Sequence, residues 1–310
     1  RGNSCYHKER VMIMKILVTN DDGIKDRGLK KLVTALTGAD NSGKGEEKGK
    51  HLNGKEHLVY VAAPAAEATG AGGAVTFGNV IGVKKYPLGL GEEKAWAVEG
   101  TPADCVILAR EELVGEVDLV ISGINNEPNL GDDIRFSGTL GACREASFAG
   151  IKAWGLSLDY GEGENHYRPV KALVRHLLRG PSGNFKEEEP RFTDIPPQIY
   201  PEKLPPEIYL NINFPNLPLP EIKGIKMVKL GRRRYRDCLH LVRKEPHPYY
   251  RLSGTLIPEE EVNTDNWAVK QGYIALTPLH RDNTDYRFLK ELNQSQNKGK
   301  GERGGSGFLE

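Results

Sequence analysis

The sequence lacks the dense, evenly spaced cysteines of a secreted protein held together by disulfides. It has only four cysteines, which are widely scattered and form no CxxC pair: Cys5, Cys105, Cys143 and Cys238. Sparse cysteines of this kind are typical of reduced thiols inside the cell. We therefore expect a cytoplasmic protein.

Long apolar runs are missing as well. No stretch reaches the roughly 18 apolar residues that cross a bilayer, so no membrane-spanning segment is predicted. Residues 1–13 are polar and charged, without the apolar centre and small-residue cleavage site of a secretory signal. We interpret them as a leader or a cloning remnant ahead of a fold that begins near Met14.

An excess of charge of one sign is also absent. Lys and Arg total 43 and Asp and Glu total 42, so we expect neither nucleic acid nor an anionic membrane as a partner. The single basic cluster is Arg232, Arg233 and Arg234 with Arg236. We interpret it as an exposed hairpin or a subunit interface rather than as a patch for polyphosphate or nucleic acid.

Short apolar runs alternate with helical patterns along the first half of the chain. The spacing of the leucines predicts a helix over 26–37, and Thr101–Pro102 and Ser137 are typical helix starts. Residues 74–85 and 94–99 have the pattern of an extra pair of strands. Buried strands are predicted at 15–20, 58–63, 117–121 and 152–158. The alternation favours an α/β class: a Rossmann-like, mostly parallel sheet with helices on both faces.

The second half of the chain is less regular. Strands are predicted at 207–214 and 273–279, a connector at 180–206, and a long hairpin with a basic turn at 226–256. Residues 38–56 are rich in glycine and charge and predict an exposed loop. The predicted division is a catalytic domain over 14–215, a C-terminal β-rich hairpin extension over 216–293, and a disordered tail over 294–310.

Polar clusters follow three of the predicted strands. They are Asp21 with Asp22, residues 64–73 and residues 122–139. In an open parallel sheet, ligands bind beyond the carboxyl ends of the strands. The three clusters are therefore expected to meet at one edge.

Adjacent carboxylates at a strand end suit a hard divalent cation. Asp21 and Asp22 can serve one centre only if the chain turns, and Gly23 permits that turn. Asn125 and Thr69 add neutral oxygen ligands. From the residues alone, a solvated turn and loop-stabilising hydrogen bonds remain open alternatives.

Ser137, Gly138 and Thr139 open a helix with hydroxyls and small side chains. Backbone N–H groups at a helix start, together with the helix dipole, bind anions such as phosphate. A plain N-cap is the alternative explanation of this segment.

Several motifs together resemble the SurE (survival protein E) family of 5′-nucleotidases, which also includes acid phosphatases. They occur in order between residue 14 and about residue 285, and they are MKILVTNDDG (14–23), GTPADCV (100–106), LVISGIN (119–125), NLGDDIRFSGTLGACREA (129–146), YLNINFP (209–215) and GYIALTPL (272–279).

The resemblance implies a specific activity and site. It implies hydrolysis of nucleoside 5′-monophosphates, and of short polyphosphate in some members, with one divalent ion such as Mg²⁺ or Mn²⁺ per subunit. The metal ligands correspond to Asp21, Asp22, Thr69 and Asn125, with Asp21 and Asp22 also catalytic. The phosphate contacts correspond to Asn129, Ser137, Gly138 and Thr139. Because the family uses its C-terminal extension in assembly, the resemblance also implies a homodimer or homotetramer.

Three positions depart from the family pattern. Thr69 stands in place of the usual Ser and keeps a hydroxyl, and Gly73 stands where many members have His. Glu127 replaces a usual Gly, which adds negative charge beside the phosphate site. Glu127 therefore motivates one alternative, an inactive nucleotide-binding module.

A receiver-like interaction domain is the other alternative, because receiver domains also carry paired aspartates after the first strand. It would need an Asp at the end of the third strand. The chain has Ser122–Asn125 there instead, which argues against this alternative.

Overall fold

The computed structural model describes residues 13–39, 57–161, 163–180, 192, 195–257 and 261–301, with side chains as far as residue 296. Most of the loop expected at 38–56, nearly all of the leader at 1–13, much of the connector at 180–206 and the end of the tail at 294–310 lie outside the described residues.

Thirteen strands occur in the described residues, and nine of them form one sheet. The strands are β1 (Lys15–Thr19), β2 (Leu58–Pro64), β3 (Val83–Lys85), β4 (Lys94–Val98), β5 (Leu119–Asn125), β6 (Lys152–Leu158), β7 (Ile208–Phe214), β8 (Ile225–Met227), β9 (Arg234–Arg236), β10 (Leu239–Arg243), β11 (Tyr249–Leu252), β12 (Thr255–Ile257) and β13 (Ile274–His280). The sheet order is β3-β4-β2-β1-β5-β6-β7-β13-β8. The six adjacent strands β4, β2, β1, β5, β6 and β7 are mutually parallel. β3 runs antiparallel to β4, β13 runs antiparallel to β7, and β8 is parallel to β13.

The strand order reverses beside β1. The chain moves from β1 outward to β2 and β4, then crosses back to place β5 on the other side of β1 and continues to β6 and β7. Such a reversal opens a crevice at the carboxyl ends of the two central strands, where ligands of open α/β sheets bind. The ends of β1 and β5 are therefore the natural place for a site.

Helices cover both faces of the sheet. The α-helices of the described residues are α1 (Arg27–Thr37), α2 (Pro102–Leu108), α3 (Gly138–Phe148), α4 (Arg168–Arg179), α5 (Asp265–Lys270) and α6 (Tyr286–Gly301), and the described side chains of α6 are exposed. Side chains of α1 and α4 pack with Ile16 and Val18 on one face. Those of α2 and α3 pack with Leu17 on the other. The alternation follows from the two-residue period of a strand, and it confirms the predicted α/β class.

Local signals positioned the helix starts. Thr101 accepts from the Asp104 backbone N–H and Asp104 accepts from the Thr101 backbone N–H, which makes a capping box. Ser137 caps α3 by accepting from the Leu140 N–H over 3.1 Å. Both helices therefore begin where the sequence predicted.

One prediction of secondary structure needs correction. Of residues 74–85, only Val83–Lys85 forms a strand, because the glycine-rich part takes turns with positive φ at Gly78. α6 extends to Gly301 and so overlaps the start of the tail predicted over 294–310; the disorder of that tail stays a prediction.

The C-terminal extension contains the predicted hairpin. β9 pairs with β12, and β10 pairs with β11, both antiparallel. The arginine run does not form the turn of the hairpin but leads into β9. Arg233 is only 9% exposed, so the run is not uniformly exposed.

No helix in the described part of the chain has the length and apolar character to cross a membrane.

Candidate active site

The end of β1 is shaped by Asn20. Its side-chain carbonyl accepts from the Gly23 N–H, and its amide donates to the Gly23 carbonyl, both over 3.1 Å. Gly23 has φ +96°, a conformation that favours glycine. This two-bond clamp reverses the chain directly after the strand and places Asp21 and Asp22 in the turn.

Asp21 is buried against the start of α3. Thr139 Oγ1 donates to Asp21 Oδ1 over 2.7 Å. A Cβ on Gly138 would lie 2.8 Å from the Cβ of Asp21, so only glycine allows this approach. Burial raises the pKa of Asp21, while the Thr139 hydroxyl and the backbone N–H groups of Gly138 and Thr139 oppose the rise. The helix terminus thus already stabilises one anion, the Asp21 carboxylate.

Asp22 is partly buried and lies near other acidic side chains. Burial raises its pKa to about 7, with further contributions from the charges of Asp21, Asp26 and Glu67, against a lowering by the Asn126 N–H. Its Oδ2 is buried without a hydrogen-bond partner, which is costly for a carboxylate oxygen. A hard divalent cation bound by oxygen ligands would relieve both the repulsion and the unsatisfied oxygen, so the residues fit such an ion.

Asn125 lies at the end of β5, where the strand is irregular. The pairing of β5 with β6 shifts register between Ser122 and Asn125, as expected of a bulge that redirects a side chain. Asn125 Nδ2 donates to the Glu127 carbonyl over 2.7 Å. Since Nδ2 is used in this bond, Oδ1 is the side-chain atom of Asn125 that suits a metal ion.

Asn129 is buried and is hydrogen-bonded to side chains of β6 and β7. Its N–H donates to Asn213 Oδ1 over 2.8 Å, and its Nδ2 donates to Ser157 Oγ over 2.7 Å. Its carbonyl accepts from Asn211 and Asn213. These neutral side chains hold the predicted phosphate segment on β6 and β7.

Thr69 is a predicted metal ligand, but its hydroxyl is hydrogen-bonded to a neighbouring side chain of its own loop. It donates to Glu67 Oε1 over 2.8 Å, on the exposed loop after β2. The loop is nonetheless tied to the site, because the Ala68 N–H donates to the Asp21 carbonyl over 2.8 Å. Among the described residues, no group of three or more His, Cys, Asp and Glu is arranged to hold a metal ion, so a metal here depends on amide or hydroxyl oxygens as well.

The departures from the family pattern have distinct surroundings. Glu127 is exposed two residues from Asn125. At Gly73 an added Cβ would lie 2.1 Å from a terminal nitrogen of Arg144. The Arg144 guanidinium therefore fills the space that a side chain at position 73 would need.

Sequence reasoning missed several residues that build the site. Asn20, Asn211 and Asn213 all position other groups, and none was singled out. A usable signal was present for the last two, because they are polar residues two apart in an otherwise apolar strand and so share one face.

The fold and the site together define a class: a doubly wound α/β protein with an acidic, oxygen-lined site at its topological switch point. The family model described as Survival protein SurE matches residues 16–237. The chain belongs to the SurE family.

Relatives and a solved structure agree with this membership. The "5′-nucleotidase SurE" of Desulfitobacterium hafniense is 36% identical over 285 residues, covering 91% of this chain and 97% of the relative. The "5′-nucleotidase SurE 1" of Thermus thermophilus is 35% identical over 281 residues, covering 90% and 96%. The crystal structure of the SurE protein from Aquifex aeolicus aligns with a TM-score of 0.68 and 29% identity, covering 91% and 99%.

Proposed function

We propose that the chain is a metal-dependent phosphatase that converts nucleoside 5′-monophosphates to nucleosides and phosphate. The observation that carries the proposal is the contact between Thr139 and Asp21. It joins an acidic, oxygen-rich strand end to a helix start of the kind that binds phosphate. The relatives named 5′-nucleotidase SurE support the substrate class.

Asp21, Asp22, Asn125 and Thr69 are the proposed ligands of one divalent ion per subunit, Mg²⁺ or Mn²⁺. A bound divalent ion supplies Lewis-acid charge and lowers the pKa of a coordinated water. Thr69 would have to exchange its bond to Glu67 for this role.

The phosphate is assigned to Asn129, Ser137, Gly138 and Thr139. The dipole of α3 and its first-turn N–H groups stabilise negative charge, including charge that builds up in the transition state. Because these N–H groups also face Asp21, carboxylate and phosphate share one helix terminus. The arrangement suits a phosphomonoester and is open to the terminal phosphate of short polyphosphate.

The C-terminal extension is the proposed assembly region of a homodimer or homotetramer. Strands β9 to β12 are exposed throughout. Their exposed apolar side chains include Leu239, Leu241 and Leu252, a pattern expected of a protein–protein contact. We place the working enzyme in the cytoplasm.

The test is phosphate release from a panel of nucleoside 5′-monophosphates with Mg²⁺, Mn²⁺ or EDTA. Wild type is compared with Asp21→Asn and with the control Asp118→Asn. Asp118 accepts from the Lys15 N–H at the opposite end of the strands, and an Asn can keep that bond. Release that requires metal and is lost only in Asp21→Asn is expected. Nucleotide binding without release would instead favour the inactive binding module.

A further inference from the structure

Asp265 is a buried carboxylate in the C-terminal extension that reaches the loop of the predicted phosphate site. Its Oδ2 accepts from the Gly131 N–H over 2.8 Å. Its Oδ1 accepts from the Gly231 N–H over 2.7 Å and from the Asn266 N–H over 2.8 Å. Asp265 is fully buried, so one side chain ties three backbone segments together away from water.

The tied segments touch backbone to backbone. Gly131 has φ +52°, and a Cβ there would lie 2.9 Å from the Gly231 carbonyl oxygen and 3.2 Å from Cγ of Arg233. A side chain at position 131 would therefore separate the loop from the extension. This close approach is what lets one carboxylate reach both Gly131 and Gly231.

The loop is thereby held from two sides. Asn129, two residues before Gly131, is bonded to Asn213 and Asn211 on β7. Gly131 is bonded to Asp265 at the start of α5. The loop from 129 to 137, which contains a short 3₁₀ helix over Gly131–Phe136, thus has one anchor in the central sheet and another in the extension.

A second contact supports the same connection. The Arg233 N–H donates to Asp132 Oδ2 over 3.0 Å, and Arg233 Nε lies 3.1 Å from Asp133 Oδ2. The Tyr235 hydroxyl also donates to Asp133. Both acidic residues lie in the loop, and Arg233 and Tyr235 lie at the start of the hairpin.

We propose that Asp265 is a positioning residue that holds the 129–137 loop in its phosphate-binding geometry. This inference rests on the proposed function, and it adds the extension to the residues that set phosphate affinity. The choice of an acid follows from its chemistry, because an ionised carboxylate accepts on both oxygens. An Asn would accept on one oxygen and direct an NH₂ group at a backbone N–H. Burial raises the pKa of Asp265 despite its N–H donors, so a carboxylate at this position is costly.

The test compares Asp265→Asn with the control Asp285→Asn, in the wild-type background. Asp285 is an exposed acid of the same extension that accepts from the Phe288 N–H, a bond that Asn can keep. Calorimetry measures the affinity for inorganic phosphate with Mg²⁺ present, and separately the affinity for Mg²⁺ in phosphate-free buffer. A misplacement of about 1 Å in a group that positions a substrate can cost an enzyme about 100-fold in rate, and we take this as the upper bound for the loss of phosphate affinity. We expect phosphate binding to weaken about 10- to 100-fold, Mg²⁺ binding to stay within about twofold, and the control to match wild type.

Equal losses of phosphate and Mg²⁺ affinity, or a lower melting temperature with unchanged phosphate affinity, would overturn the proposal. If Asp265→Asn does not fold, Gly131→Ala breaks the same contact from the other side and is judged by the same two affinities. Wild type that binds phosphate but hydrolyses no nucleotide would refute the proposed function and leave the loop anchor to be decided by the affinities. Wild type that binds no phosphate would refute the anchor as well.

Discussion

The hydroxyl of Thr139 donates a 2.7 Å hydrogen bond to Oδ1 of Asp21 across 118 residues of sequence. One partner lies in the turn directly after β1, and the other lies in the first turn of α3. The bond fixes the orientation of a proposed metal ligand by means of a residue assigned to the phosphate. The two halves of the proposed site therefore depend on each other.

Replacing Thr139 tests this dependence. Thr139→Val keeps the shape but removes the donor, so we expect metal affinity and phosphatase activity to fall about 10- to 100-fold, as is usual for groups that orient metal ligands. Thr139→Ser keeps the hydroxyl and should retain most of both. Calorimetric titration with Mn²⁺ measures the affinity. Equal behaviour of the Val and Ser variants would contradict the role of the hydroxyl.

The proton on Asp22 predicts how metal binding depends on pH. A metal ligand must be deprotonated, and the pKa of Asp22 without metal is about 7. Affinity should therefore weaken progressively as pH falls below 7 and level off above it. Glu67→Gln removes one of the charges that raise this pKa and should move the dependence to lower pH. Affinity that is flat between about pH 5.5 and pH 8.5 would refute this prediction.

The same shift predicts how the metal-free protein responds to pH. The pKa of Asp22 is about 7 in the folded state, whereas its ordinary value is 3.8. The folded state therefore binds the proton more tightly than the unfolded chain does. The contribution of Asp22 to stability is present below pH 3.8 and is lost as pH rises toward 7. Melting temperatures should therefore show that added Mg²⁺ stabilises more above pH 7 than at pH 5. A larger stabilisation by Mg²⁺ at pH 5 than above pH 7 would contradict the predicted direction.

Glu127 predicts a charge effect on substrate affinity. Unit charges 4 Å apart in water interact by about 1 kcal/mol, or about fivefold in affinity. Removing this exposed carboxylate, two residues after Asn125 in the sequence, should lower KM by up to about that factor at low salt and by less at high salt. Glu127→Gln removes only the charge, whereas Glu127→Gly also frees the backbone. A KM that is unchanged in the Gln variant would exclude repulsion by Glu127.

Most of the fold could be predicted from short sequence patterns. Apolar runs such as that of β1 and cap residues such as Thr101 act within a few positions, so the sheet, its helices and the resemblance to the SurE family were all confirmed. The proposed ligands stay predictions, although the structure brings Asp21 together with Gly138 and Thr139.

Distant contacts could not be predicted in the same way. Asp265 and Gly131 are 134 residues apart, and Asn129 and Asn213 are 84 apart. Nothing in the local pattern of either partner indicates the other, because each bond exists only after the sheet is assembled. The burial of Arg233 within the arginine run could not be predicted for the same reason, since its acidic partner Asp133 is remote in sequence.

Gly138 provides the strictest test of the close contact between α3 and Asp21. Its added Cβ would lie 2.8 Å from Asp21 Cβ and 3.0 Å from Asp21 Oδ2, so Gly138→Ala must displace the carboxylate or the helix start. Overpacking of this kind costs about 1–3 kcal/mol of stability. We expect this loss of stability together with a fall of at least about tenfold in metal affinity, because changing a residue that orients a metal ligand usually lowers metal affinity by that much.

Gly155→Ala is the matched control for Gly138→Ala. Its Cβ would lie 2.6 Å from the end of the Leu140 side chain and 3.6 Å, an ordinary van der Waals distance, from Cγ2 of Thr139. It therefore crowds α3 against β6 without touching Asp21 or displacing the Thr139 hydroxyl. It should lower the melting temperature by a comparable amount and leave metal affinity unchanged. Chemical denaturation and Mn²⁺ titration of both variants separate the two effects. If both lost metal affinity alike, crowding of α3 alone would explain the loss, and the contact of Gly138 with Asp21 would have no specific role.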